Sequence, residues 1–295
     1  MNHRKIFLAT VTLAAASLAV GASQSAVSQP ASGGPTAEAA DLNGFWTHGF
    51  SLGFDPPPEG GPGPVHDLKT KAQMRAMGQF LVHEADASNP ILQPWAAEEV
   101  KKASEAEKRG TRIPSKQEIC FPSGVPNYWT HPLLMQIVQT KDYVVFLHAR
   151  DHQIRIVHLN KPHVANPQPS WYGDSVGHFE ADTLVVDTIG LNDKTPVDVF
   201  HTPHTTKEHV IERIRVVRGL GGEKNLEVRF TVDDPGAFTM AWTGIETYRG
   251  VGGPGGAVDP VGGGDVLQEE VCAENNRAIG IPDVAIPTET SSRFR

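Results

Sequence analysis

His209-Val210-Ile211-Glu212-Arg213-Ile214-Arg215-Val216-Val217-Arg218 places Val210, Glu212, Ile214 and Val216 on one set of alternate positions and His209, Ile211, Arg213 and Arg215 on the other. Successive side chains leave a strand on opposite faces, so this period of two, carried by β-branched residues, reads as a half-buried strand. Similar runs flank it. Strands are predicted over 143–149, 153–159, 175–180, 183–190, 225–232, 242–249 and 266–272. Arg150-Asp151-His152, Ala181-Asp182, Gly219 to Lys224 and Asp233-Asp234-Pro235-Gly236 are short, turn-rich connections, which join antiparallel neighbours rather than helix-linked parallel strands. The reading is a mainly β fold, an antiparallel meander closing into a barrel or half-barrel, with a sandwich as the alternative.

Two short helices are expected ahead of the meander. The first runs from Asp67, a candidate N-cap, to Glu84, and the second from Trp95 to Arg109 with Gly110 as its stop. The second is rich in Ala, Glu and Lys with little apolar face, which puts it on the surface. The Gly-rich stretch 250–264 reads as a flexible loop, suited to a lid if it lies at a barrel mouth.

The chain opens with Met1-Asn2-His3-Arg4-Lys5 and then an apolar run from Ile6 to Val20, too short to span a bilayer comfortably. That is the form of a signal peptide, assigned to residues 1–22, with 23–40 as an Ala/Ser/Gly/Pro spacer and 41–295 as one β-rich domain. A periplasmic or extracellular location follows. Cys120 and Cys272 are the only cysteines, and in an oxidising compartment they are expected to pair. The net charge of −8 becomes two units more negative when Arg4 and Lys5 leave, and no basic stripe offsets it, so nucleic acid is disfavoured as a partner. No later segment approaches membrane-spanning length, so no membrane insertion is expected.

Leu42-Asn43-Gly44-Phe45-Trp46 resembles the Gly-x-Trp opening of lipocalins and related small-ligand barrels. Ser175 to Thr188, His201 to Arg213, Asp233-Asp234-Pro235 and Trp242-Thr243 are similar to a family of secreted bacterial proteins, mostly hypothetical, with the likeness running from Asp41 to Asn276. These resemblances imply export and a lipocalin-like β fold; they bring no reaction and no residue roles.

Chemistry concentrates in His201-Thr202-Pro203-His204-Thr205-Thr206-Lys207-Glu208-His209. His204 and His209 are candidate proton-transfer groups, and His201, His204 and His209 could converge on a divalent metal, although the spacing matches no standard motif. Glu212 shares its face with Val210 and Ile214, and Asp187 shares one with Val185 and Ile189; a carboxylate on an apolar face needs a partner or shifts its pKa. His152 sits in a hairpin at the barrel mouth, while His148 and His158 read as satisfied core residues. Trp171, Tyr172 and Trp242 are candidate pocket walls. No Gly-x-Ser-x-Gly elbow, phosphate loop or dinucleotide fingerprint occurs, and no cofactor is indicated.

Two functions are therefore carried forward. One is an exported enzyme of isomerase, lyase or hydrolase type that encloses a small, largely apolar molecule in a barrel pocket and performs acid/base chemistry on it with His204, His209, Glu212, His152 and Asp187. The other is a non-catalytic, lipocalin-like carrier.

Overall fold

The computed structural model describes residues 41–47, 53–65, 85–111, 113, 119–131, 133–252, 267 and 271–272. All lie in one compact unit, Ala37–Arg295. The strands are β1 (Gly44–Thr47), β2 (Met135–Gln139), β3 (Tyr143–His148), β4 (Ile154–Leu159), β5 (Asp174–Glu180), β6 (Thr183–Ile189), β7 (His209–Arg218), β8 (Lys224–Asp233) and β9 (Trp242–Gly250). They pair in chain order and β1 returns to β9, closing a barrel. Closure gives every described strand a neighbour on both sides, which limits the open edge that could template aggregation.

One pairing departs from the antiparallel meander. β4 and β5 run parallel, through His158 with Val176 and Leu159 with Gly177, so the barrel is mixed. A parallel neighbour requires the chain to travel back along the barrel, and residues 160–173 make that return. β1 and β2 add to the strands read from the sequence. Of the strand expected at 266–272, the described members Leu267, Val271 and Cys272 have no strand pairing, and the others lie outside the described residues, as does the helix expected from Asp67 to Glu84.

The second expected helix is present as α1 (Pro94–Lys108). Proline opens it, where its missing N–H costs nothing, and Gly110, at φ +74°, follows its end. Its buried stripe is narrow, limited to Ala96, Val100, Ala103 and Ser104.

β1 meets β9 only near Trp46 and Thr47, and the loop 53–65 continues the seam toward the other end. Asp55 exchanges backbone hydrogen bonds with Ile245, and the Thr243 amide donates to the Pro62 carbonyl. Inside, Phe54 meets Phe230 edge-on at 4.5 Å. The Phe230 ring occupies the space over Gly244, where any Cβ would fall 2.4 Å from it.

The barrel interior is occupied by side chains, and by a short 3₁₀ segment, Asn127–Thr130, that enters from one rim. Tyr128 and Trp129 from this plug are fully buried, and Trp129 packs edge-on against Phe146 at 5.4 Å and Tyr248 at 5.8 Å. The Tyr248 hydroxyl donates to the Trp129 carbonyl at 2.7 Å, fixing the plug to β9. Strand registers put His148, Ile154, Asp174, Ile189, His209 and Asp233 at one rim. Cys120 and Cys272 form a disulfide that ties the chain beyond β9 to the segment leading into the plug. No helix among the described residues is long and apolar enough to cross a membrane.

Candidate functional site

The candidate acid/base residues fall into four separate places. Glu212 lies where alternation put it, facing inward and fully buried. Its partner is neither Arg213 nor Arg215 but Arg155 of β4, which reaches across from three strands away with its own side chain 1% exposed. The guanidinium binds both Glu212 oxygens, donating to Oε1 at 2.8 Å and also to Oε2. It further donates to the Tyr128 hydroxyl at 2.6 Å, to Thr188 Oγ1 at 2.8 Å and to Ser175 Oγ at 3.2 Å. Trp129 Nε1 completes the carboxylate shell by donating to Oε1 at 2.6 Å. Burial opposes the Arg155 charge, but Glu212 outweighs it and holds the pKa above the ordinary arginine value. Both carboxylate oxygens are thus engaged, and through Trp129 and Tyr128 the buried pair anchors the plug to the wall.

Asp187 and His209, in contrast, meet. Asp187 faces outward, which corrects the expectation of burial beside Val185 and Ile189: the inward set of β6 is Leu184, Val186 and Thr188. On the outer wall Asp187 Oδ1 lies 2.8 Å from His209 Nε2 and 3.1 Å from His163 Nε2. His163 belongs to the return segment 160–173, and its Nδ1 lies 2.8 Å from Asp174 Oδ2 at the start of β5. That same Asp174 oxygen accepts the Val164 amide at 2.9 Å, which steadies the carboxylate. Four side chains from four segments thus form one chain of contacts, Asp174 to His163 to Asp187 to His209, with Asp187 and His209 each 40% exposed. Each of the three contacts has an imidazole nitrogen facing a carboxylate oxygen, so a proton can lie between the two atoms of each.

His204 is elsewhere. Its Nδ1 lies 2.5 Å from Glu208 Oε2, and both side chains are almost fully buried. Burial opposes a charge on His204, but Glu208 outweighs it and raises the pKa; burial also raises Glu208. Both shifts keep protons on the pair. Among the described residues no three His, Cys, Asp or Glu stand as a metal-binding group, so His201, His204 and His209 do not form one.

His152 lines a recess of about 280 Å³ at the rim, with Leu147, His148, Ala149, Gln153, Ile154 and Leu267. Ser123 Oγ is hydrogen-bonded to His131 Nε2, and the Tyr172 hydroxyl donates to Gln153 Oε1. Tyr172 thus contacts Gln153 of the lining without itself lining the recess. Trp171 lies outside it, against Phe121 and under Lys194. Trp242 is core, 1% exposed between Phe230 and Phe238. His148 is buried as expected, whereas His158 faces outward against Tyr143, because the inward set of β4 is Arg155, Val157 and Leu159.

The sequence reading passed over Arg155, His163, Asp174, Ser123 and His131. His163 and Asp174 sit in or next to an aperiodic connection, and only the parallel crossover brings them to Asp187. No family model matches the chain, and neither a curated protein nor a solved structure does.

Proposed function

We propose that the protein is an exported enzyme performing acid/base chemistry on a small molecule at the outer-wall relay of His163, Asp174, Asp187 and His209. The carrying observation is the double approach of two imidazoles to one half-exposed carboxylate oxygen, with a second carboxylate behind one of them. Asp187 and His209 are the groups open to a substrate; Asp174 and His163 orient them and share the proton. Asp187 has Val176 and Ile211 as its cross-strand neighbours, and Val164 lies exposed beside His163, so a largely apolar substrate has surface to rest against. The chemistry suits an isomerase, lyase or hydrolase step that moves one proton. Export rests on the signal-peptide form of residues 1–22, and the Cys120–Cys272 disulfide is compatible with it.

The test is turnover of a panel of enolisable ketones, followed by deuterium exchange, and of activated esters, followed by release of the leaving group. Asp187→Asn and His209→Gln are each expected to lower kcat/KM by at least about 100-fold, the usual contribution of a positioned acid or base. Both side chains are half exposed, so thermal stability should barely move. Turnover that survives both substitutions would remove the relay from the reaction.

The carrier reading has one point in its favour, the rim recess, which is large enough for a small ligand. Stoichiometric ligand retention without turnover, seen by native mass spectrometry of protein from its own host, would favour it.

A further inference from the structure

We infer that the outer wall beside the relay carries a carboxylate-binding subsite at Arg213, and hence that the substrate of the relay is a small, largely apolar acid. The inference rests on the acid/base reading of the relay and adds what its substrate must carry. Its basis is the register of β5, β6 and β7.

Side chains two residues apart on a strand share a face, so Val185 lies next to Asp187 on the outer face of β6. Val176 and Ile211 flank Asp187 on the neighbouring strands, and one step further along His178 and Arg213 flank Val185. Arg213 is thus a diagonal neighbour of Asp187, a position that puts the two Cα atoms roughly 7–8 Å apart. Val176, Val185 and Ile211 form an apolar floor between them.

Glu180 shows what this place does to a carboxylate. Its Oε2 accepts from Arg213 Nη2 at 2.7 Å, and its Oε1 lies 3.3 Å from His178 Nε2. Hydrogen bonds from Arg213 first and His178 second hold the Glu180 carboxyl below the ordinary glutamate range. Among the described residues the Arg213 guanidinium has no other acceptor, so Nη1 and Nε remain for a second carboxylate. Arg229, itself paired with Glu59, stands directly opposite Arg213 on β8, and like charges so placed repel, which favours a further anion beside them. Arg213 and Glu180 are each about half exposed, and such a pair contributes little, so an incoming carboxylate can also displace Glu180 at small cost. An arginine fork matches a carboxylate with two parallel hydrogen bonds. With the acid group there, a few carbons of apolar chain reach Asp187 over Val185 and Ile211.

The experiment compares 4-oxopentanoate with its methyl ester on the full chain, following binding by saturation-transfer NMR and turnover by deuterium exchange beside the ketone. Wild type is expected to bind the acid about fivefold more tightly at low salt, the upper worth of a half-exposed ion pair, and the preference should fade at about 1 M salt. Arg213→Gln should bring the ratio to about one, raising KM for the acid with kcat kept. Glu180→Gln removes the competing carboxylate and should raise the ratio above that of wild type, a direction that a merely structural Arg213–Glu180 pair would not produce. Both side chains are half exposed, so both variants should fold. Equal affinities in wild type, a preference that survives Arg213→Gln, a ratio lowered by Glu180→Gln, or no binding of either probe at millimolar concentration would each overturn the subsite, whatever the turnover. A preference that depends on Arg213, with no deuterium exchange from either probe, would uphold the subsite and remove the chemistry of the relay instead.

Discussion

Glu212→Ala is expected to destabilise the protein by about 3–5 kcal/mol, the cost of leaving a buried cation without its counter-charge. The Arg155 guanidinium would keep only neutral oxygens, those of Tyr128, Ser175 and Thr188, and Trp129 Nε1 would lose its acceptor. Water cannot take the place of the carboxylate, because both side chains are sealed inside the barrel. The double replacement Arg155→Met with Glu212→Leu should recover most of the loss, since apolar groups of similar volume substitute for a buried ion pair at little cost. Urea unfolding of the two variants and wild type measures both figures. The experiment also separates two roles. A Glu212 acting as general base would lose activity in Glu212→Ala with stability nearly intact, and a loss below about 1 kcal/mol would sink the anchoring role assigned here.

How much of this was legible in one sequence depended on whether a strand's two faces differ in composition. In β7 the Val210, Glu212, Ile214 set is plainly distinct from the Arg213, Arg215 set, so the inward face and the odd carboxylate on it could both be read. β4 defeats the same reading. Ile154 and Ile156 look like its core face, yet they are 54% and 46% exposed, and the inward set contains Arg155. The deciding interaction is with Glu212, three strands away in the barrel and 57 residues along the chain. Periodicity within one strand carries no trace of a cross-barrel partner. An arginine among isoleucines is placed by charge pairing, which local pattern does not encode.

The wall relay was half legible for a related reason. Asp187 and His209 stood out as polar groups within period-two runs, although β6 is apolar on both faces and gave no clue that Asp187 points outward. His163 and Asp174 had no pattern to mark them. They arrive through the return segment between β4 and β5, and a parallel pairing was the one topological feature that short turns elsewhere argued against. Closure, in turn, was expected from the number of strands, but not the plug of Tyr128 and Trp129, because a four-residue 3₁₀ segment has no period long enough to register. That plug is what turns a barrel suited to enclosing a ligand into a packed core, and it moves the accessible chemistry to the rim and the outer wall.

The same rim holds a carboxyl whose titration should govern stability at mildly acidic pH. Asp198 is fully buried in the connection between β6 and β7, where its Oδ1 accepts the amides of Phe200 at 2.9 Å and Thr202 at 3.1 Å. Burial pushes its pKa up to about 6, and the Thr202 hydroxyl and the two amides only partly oppose it. Between roughly pH 4, the ordinary aspartate value, and pH 6 the folded chain therefore holds a proton that the unfolded chain has released. Stability from this group is complete below that window, falls as pH rises through it, and is flat above. The shift corresponds to about 3 kcal/mol in total. Asp198→Asn keeps an oxygen for both amides while removing the titration, so its stability should decline about 2 kcal/mol less than wild type between pH 4 and pH 7. Glu208, raised by burial, slopes the same way, and His204 contributes its own fall at higher pH, but both are common to the two proteins and cancel in the difference. Urea midpoints across that range, converted to free energy for wild type and variant, give the comparison. Parallel curves would mean that Asp198 titrates in the fold as it does in the open chain, and that its buried position is tolerated by hydrogen bonding alone.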